Sequence, residues 1–293
     1  ERGSPSPPLV FPRPPSRRKR LTIMSPPPSP IKSWTVDALT IEVYNDRADL
    51  GHAGAARAAA AMRRALTSRG VVRVVFAAAP SQNELLDALV ETEGQGLDWS
   101  QVMAFHMDEY LGIPPDHPAA FRHYLRTRLF NRVGIGSACG GPRLIPGEQT
   151  DDPLAICHAY ARALNERPLD LVCAGIGENG HLAFNDPPVA DFLDPVAVKT
   201  VRLDHACRVQ QVHDGCFASL SDVPTHAYTL TIPTLLSAQT LVVAVPGSRK
   251  ADAVAHTLRD PIGEACPATA LRRHAGATLL LDRDSARLVL GVD

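Results

Sequence analysis

The sequence contains no run of 18 uncharged apolar residues, the length a membrane-spanning helix requires, so no span is expected. The nearest approach, Ala277 to Leu281, is only strand-length. Its six cysteines (Cys139, Cys157, Cys173, Cys207, Cys216 and Cys266) form no Cys-x-x-Cys pair, so neither a zinc site nor a disulfide framework is indicated. Several lie beside apolar residues, as reduced, buried cysteines do, and a reducing cytoplasm is the expected compartment. No internal repeat is evident. A basic excess is missing too. Of a net charge of −1, residues 1–34 hold seven Lys/Arg and one acid, a net of +6, which leaves −7 for the remainder. The folded part therefore presents no general basic surface to nucleic acid, and an anionic substrate has to be held by local donors.

What is present divides at about residue 34. Residues 1–34 contain ten of the 26 prolines and few large apolar residues. Such a segment cannot bury enough surface to offset chain entropy, and it is expected to be a disordered tail. No apolar segment follows the Arg17-Arg18-Lys19-Arg20 cluster, so a secretory signal is not expected, and Met24 is a candidate start. Beyond the tail, 45% apolar composition allows a sizeable core. Short β-rich runs alternate with helical ones. Strands are expected at Leu39–Tyr44, Val71–Phe76, Val102–Phe105, Leu169–Ala174, Leu241–Val245 and Thr278–Leu281. Helices are expected over 47–69, 81–92 (opened by a Ser81-x-x-Glu84 capping box), 118–130, 151–166 and 249–258. Continuous apolar strands alternating with helices predict one α/β domain over 35–293, a doubly wound, mostly parallel open sheet of Rossmann-like form with helices on both faces. Ligands of such sheets bind outside the carboxyl ends of the strands.

Three segments fall at those ends. In Phe105-His106-Met107-Asp108-Glu109-Tyr110, two adjacent carboxylates follow an apolar strand, so one should face the crevice. A partly buried carboxylate there suits proton abstraction beside a carbonyl, although local sequence equally allows a helix N-cap or a surface ion pair. In the stretch from Gly175 to Asp186, Gly177 and Gly180 permit a tight loop whose N–H groups approach a ligand. Gly175-x-Gly177-x-x-Gly180 matches the dinucleotide fingerprint formally, but no good helix opens after it, and His181 with Asp186 reads better as an acid/base pair. In Pro246-Gly247-Ser248-Arg249-Lys250, a Gly-Ser start to a helix with two cations forms a plausible phosphate seat. The turn at Ala77-Ala78-Ala79-Pro80-Ser81 is a fourth candidate, through the Ser81 hydroxyl.

In order and spacing, FHMDEYLGIPPDHPAAFRHYL (105–125), GIGENGHLAFNDPP (175–188) and PGSRKA (246–251) resemble glucosamine-6-phosphate deaminase and its relatives, which include 6-phosphogluconolactonase. The similarity runs from about residue 40 to about 285. It implies an aldose–ketose isomerisation of an amino-sugar phosphate with loss of ammonia, using no cofactor and no metal. Asp108 matches the family's proton-moving base and His181 the residue that assists ring opening. Asp186 stands where the family has a supporting Glu. Asn179 replaces the family's usual acid before Gly-His, and Lys250 matches a phosphate-holding cation. Ser81, Gly177, Gly180 and Arg208 complete the expected substrate-binding set. The family's Thr-Gly-Gly-Thr-Pro phosphate loop is Ala77-Ala78-Ala79-Pro80-Ser81 here, so the exact sugar, and its phosphorylation, stay open. The lactonase branch reads Asp-Glu-Arg where this chain has Asp108-Glu109-Tyr110, which favours the deaminase branch. A lactone hydrolase and a non-catalytic sugar-phosphate-binding module are the competing readings. The expected partner is a small-molecule sugar phosphate, with no nucleic acid and no membrane, and a homo-oligomer stays open.

Overall fold

Apolar runs and helical repeats are assembled into layers in a computed structural model that describes residues 26–93 and 95–291. A first hairpin, β1 (Lys32–Val36) and β2 (Leu39–Tyr44), precedes α1 (Arg47–Arg69), β3 (Val72–Phe76) and α2 (Asn83–Glu91). Next come β4 (Val102–His106), β5 (Asp108–Tyr110), α3 (Phe121–Leu125), α4 (Asn131–Val133), α5 (Pro153–Asn165) and β6 (Leu171–Ala174). The chain ends with β7 (Val198–Arg202), α6 (His205–His213), β8 (His226–Leu230), α7 (Ile232–Leu236), β9 (Thr240–Val245), α8 (Ala251–Arg259) and β10 (Ala277–Asp282).

Seven strands form one sheet in the order β1-β2-β10-β9-β6-β3-β4. Only β1 is antiparallel to its neighbour; the other pairings are parallel. The expected doubly wound sheet is therefore present. Alternation along each strand feeds two cores. Val74 and Phe76 of β3 pack with Leu50, Met62 and Leu85 of α1 and α2, while Val75 packs with Tyr160, Leu164, Val254 and Leu258 of α5 and α8. The chain leaves β3 for β4 on one side, then crosses back to β6 on the other. That reversal opens a crevice at the strands' carboxyl ends.

A second sheet was not expected. Strands β5, β8 and β7 form a three-stranded antiparallel layer. Strand β5 is a three-residue continuation of β4 past Met107, whose carbonyl accepts the Leu230 N–H at 2.8 Å. At three residues it is too short to stand out from the segment expected to follow the Val102–Phe105 strand.

Other boundaries differ from expectation for identifiable reasons. The expected tail boundary at 34 falls inside β1, and Ile31 N–H already bonds Val43 C=O at 2.8 Å; residues 1–25 lie outside the described residues. The Ser81-x-x-Glu84 capping box does not form. Pro80–Gln82 is a 3-10 turn, α2 begins only at Asn83, and Glu84 is drawn to Arg47 at 2.9 and 3.0 Å. The helix expected from Pro118 starts at Phe121 and passes through a π-helical turn, Arg126–Phe130, into α4, which stops at Gly134 in the left-handed region. The helix expected from Arg249 opens as a 3-10 turn, Ser248–Lys250.

Helix α1 lies tightly on α2. A Cβ at Gly51 would overlap the Cβ and backbone of Glu84. Alanine normally stabilises a helix interior by about 1 kcal/mol over glycine. Here the overlap is with backbone, which cannot swing away, so overpacking should win. Gly51→Ala is expected to lower unfolding stability by about 1–3 kcal/mol in urea denaturation; an unchanged or raised midpoint would show that the helices slide apart at little cost.

Candidate active site

Four adjacent strands, β9, β6, β3 and β4, deliver their carboxyl-terminal segments to one cleft. The segments are 77–82 after β3, Met107 and Asp108 after β4, 175–181 after β6, and Lys250 after β9. The cleft holds about 580 Å³ including its open mouth. Of the residues singled out in the sequence, Asp108, His181, Gly177, Ser81 and Lys250 all line it.

The two adjacent carboxylates separate as alternation on a strand requires. Asp108 lines the cleft and is 7% exposed; Glu109 is fully buried. Among the described residues, no donor hydrogen-bonds the Asp108 side chain. Burial, reinforced by the neighbouring Glu109 charge, pushes its carboxyl well above the usual range. Glu109 is structural. It accepts the N–H groups of Tyr110, Phe121 and Arg122, each at 3.0 Å, and so caps the start of α3 from another element. Burial raises it to about 7, against the pull of those N–H groups and the Arg122 guanidinium.

The loop after β6 folds back so that Gly177 N–H donates to His181 C=O at 3.0 Å. A Cβ on Gly177 would collide with the His181 imidazole, so only glycine lets the ring lie on the loop. Gly180 has φ +82° and abuts Cys266, a structural role that leaves it outside the cleft lining. His181 Nδ1 is 2.9 Å from Asp186 Oδ1, but the approach lies off the N–H direction, a charge contact rather than an aligned hydrogen bond. Burial alone would raise the Asp186 carboxyl. His181, the Asn179 amide and the Asp204 N–H outweigh it and hold the group below its ordinary value. Asn179 makes no hydrogen bond to the imidazole. It donates to Asp186 at 2.9 Å and accepts the His181 backbone N–H at 3.2 Å.

Beyond His181 the chain crosses the left-handed region at Ala183, φ 50°, an unfavourable conformation for a residue with a Cβ. Its neighbours hold it there. Phe184 N–H donates to Thr229 Oγ1 at 3.1 Å, and the fully buried Asn185 amide donates to Leu182 C=O and Leu230 C=O, both at 2.8 Å. Phe184 also packs against the rings of Tyr110 and Phe121.

Lys250, also in the cleft lining, is 7% exposed, and among the described residues its ammonium has no hydrogen bond or ion pair. Burial lowers its pKa, opposed by the charges of Asp214 and Glu178. Arg249, expected beside it, points away and pairs with Asp214 at 2.8 Å and Glu178 at 3.6 Å. Ser81 Oγ accepts from Gln82 Nε2 at 3.2 Å. Arg208 is a correction. It lies outside this cleft, with its guanidinium on Leu220 C=O and Val223 C=O at 2.6 and 3.0 Å, because α6 turns that face toward the 220–223 loop. The opposite face of α6 supplies lining residues that sequence reasoning missed: Gln210, Gln211 and, at its C-cap, Asp214. Asp204 before an amphipathic run was the available signal for that helix.

One group of metal-ligating side chains comes together among the described residues: His181, Asp186 and Cys207, with ligand atoms within 4.8 Å of one another. Burial, with Asp186 and Asp108 nearby, pushes the Cys207 thiol well above its usual range. That environment disfavours a thiolate beside Asp186.

The contact between Gly177 and the His181 ring can be tested directly. Gly177→Ala should displace the imidazole and lower kcat by about 100-fold or more while leaving the melting temperature nearly unchanged; undiminished activity would mean that the ring position is immaterial.

Residues 45–280 match the family of glucosamine-6-phosphate isomerases and 6-phosphogluconolactonase. The chain is 29% identical over 237 residues to glucosamine-6-phosphate deaminase of Listeria innocua, covering 81% of this chain and 96% of that one. To the deaminase of Cellvibrio japonicus it is 34% identical over 209 residues, covering 70% and 75%. In three dimensions it resembles a monomeric glucosamine-6-phosphate deaminase with TM-score 0.77 and 26% identity, covering 85% of this chain and 99% of the other. A 6-phosphogluconolactonase from Shewanella baltica shares the fold at TM-score 0.67 and 18% identity, covering 87% and 100%. The chain belongs to the glucosamine-6-phosphate isomerase/6-phosphogluconolactonase family.

Proposed function

We propose that the protein is an isomerising deaminase of amino-sugar phosphates, converting a substrate of the glucosamine 6-phosphate type into a ketose phosphate (fructose 6-phosphate) and ammonia. The observation that carries this reading is Asp108, a buried carboxylate free of internal partners that lines the same cleft as the His181–Asp186 pair. A binding module needs no such set. The deaminases to which the chain is similar support the same class.

In this mechanism His181 carries a proton to the ring oxygen as the pyranose opens, and Asp186 stabilises the imidazolium that alternates with the neutral ring. Asp108 takes the proton from C2 of the open chain and returns it at C1. A proton passes from the C2 ammonium to the C1 oxygen, so that the amine-bearing carbon becomes an iminium, and water hydrolyses it to the ketone with release of ammonia. Partial desolvation keeps Asp108 basic enough for a weakly acidic C–H. Asn179 fixes Asp186 and the loop rather than the imidazole itself. Six unpaired cysteines agree with a reducing compartment, and no helix of the described residues is long and apolar enough to cross a membrane.

Asp108→Asn should reduce ammonia release from glucosamine 6-phosphate by about 1,000-fold or more, with no acid release from 6-phosphogluconolactone by either protein. Retained turnover in the variant would refute the assignment. Because Asp108 works as the carboxylate and its pKa is raised, the acid limb of kcat/KM should lie above the ordinary aspartate value of about 4. The same shift has a stability consequence. With the folded pKa above the unfolded one, the native state binds the extra proton between them, so stability falls as pH rises through that window. At pH 8 Asp108→Asn should therefore melt higher than wild type; a lower melting temperature would contradict the burial argument.

A further inference from the structure

The end of the cleft around Lys250 is electrically compensated. Lys250 and Arg249 contribute two positive charges, Asp214 and Glu178 two negative ones. Arg249 is spent on the two carboxylates, at 2.8 and 3.6 Å, and its side chain is 54% exposed. Lys250 is thus the one cation of this group turned into the cleft, with the Asp214 carboxylate lining the cleft beside it. Other side-chain donors are scarce. The wall from Ala77 to Pro80 has no polar side chain. Gln82 Nε2 is committed to Ala244 C=O and Ser81, and the Gly247 N–H to the Asp282 carboxylate at 2.9 and 3.0 Å. Among side chains, what is left for a ligand at this end is the Lys250 ammonium, the Ser81 hydroxyl and the amide of Gln211, whose oxygen is fixed by Tyr110 Oη–H at 2.7 Å.

Asp214 is also placed where helix stability does not ask for it. It is the C-cap of α6, the end at which the helix dipole opposes an anion. Its carboxylate is held by Arg249 and by Gln210 Nε2 at 3.3 Å, so it cannot simply swing out of the way. A phosphate dianion is usually gripped by several charge-assisted donors. One lysine with a fixed carboxylate alongside suits a hydroxymethyl group or a singly charged group at least as well.

We propose that Asp214 is a specificity-determining residue that removes the usual advantage of a terminal phosphate, so that the cleft accepts amino sugars ending in a neutral hydroxymethyl group nearly as well as their phosphate esters. This deepens the deaminase reading and rests on it for the identity of the sugar. Charge on the terminal group of the sugar, not its presence, is what Asp214 selects.

The test is calorimetric binding of two inert open-chain analogues, 2-amino-2-deoxyglucitol and its 6-phosphate, to wild type, Asp214→Asn and Asp214→Glu. Wild type should favour the phosphate by less than about 30-fold, since one partly compensated cation supplies little net attraction. Asp214→Asn keeps one acceptor oxygen for Arg249, gives up the longer Gln210 bond and removes the charge. It should raise the preference by about tenfold or more through tighter phosphate binding, with Asp214→Glu staying near wild type. In turnover the same change should appear as a lower KM for the phosphorylated sugar at similar kcat. A larger wild-type preference, or an Asp214→Asn preference that is unchanged or reduced in a protein that melts normally, overturns the proposal, as does failure of both analogues to bind. Binding of the analogues requires no chemistry, so absence of ammonia release would sink the deaminase reading and leave this measurement standing.

Discussion

Backbone pairing between β5 and β8 fixes where the chemistry happens. Asp108 stands opposite Thr229 in that ladder, and the same stretch of β8 holds the loop that follows His181, through Phe184 N–H to Thr229 Oγ1 and the Asn185 amide to Leu230 C=O. One three-residue strand thereby ties the carboxylate to the histidine loop, although the two lie 73 residues apart in sequence (108 and 181). The large parallel sheet brings strand ends together; the small antiparallel sheet sets their registration. Ala183 can keep a left-handed backbone beside the site because both of these anchors lie immediately after it.

The cleft also shows how one sequence places like groups in unlike roles. Asp108 and Glu109 differ by one position on a pleated strand, so one lines the cleft without a partner and the other is buried under three N–H donors. Lys250 and Arg249 divide in the same way, one lining the cleft and one pairing with carboxylates at the rim. Burial without partners costs stability and creates reactivity; burial with partners anchors the fold. Asp186 is intermediate, buried yet well supported, as suits a group that has to stay anionic behind a histidine that changes charge.

Much of this was legible from the sequence, and the parts that were not share a cause. The parallel sheet could be read because its strands are mostly apolar, without a polar side chain in β6 and over Leu241–Val245 of β9, and because helical segments separate them. The glycine-rich loop and the two carboxylates stood out because they follow such runs directly. Strands β7 and β8 were missed because their residues alternate and carry polar side chains, Lys199, Thr200 and Arg202 among them, and neither lies in the continuous pattern. Helix α6 went with them, which hid Gln210, Gln211 and Asp214 and left Arg208 on the wrong side of the expected site. The capping box at Ser81 failed because Arg47, 37 positions upstream of Glu84, competes for its carboxylate, a tertiary contact that no local motif contains.

The central claim is that Asp108 moves one proton between neighbouring carbons of the sugar. Its most direct test is turnover of glucosamine 6-phosphate in heavy water, with mass spectrometry and proton NMR of C1 in the ketose product. A single base exposed to solvent between the two transfers predicts deuterium at C1 of the product, on one face only, and none when Asp108 is replaced by Asn. Ammonia released without any proton transfer at C1, or stereospecific deuterium at C1 that persists in the Asp108→Asn protein, would contradict the account.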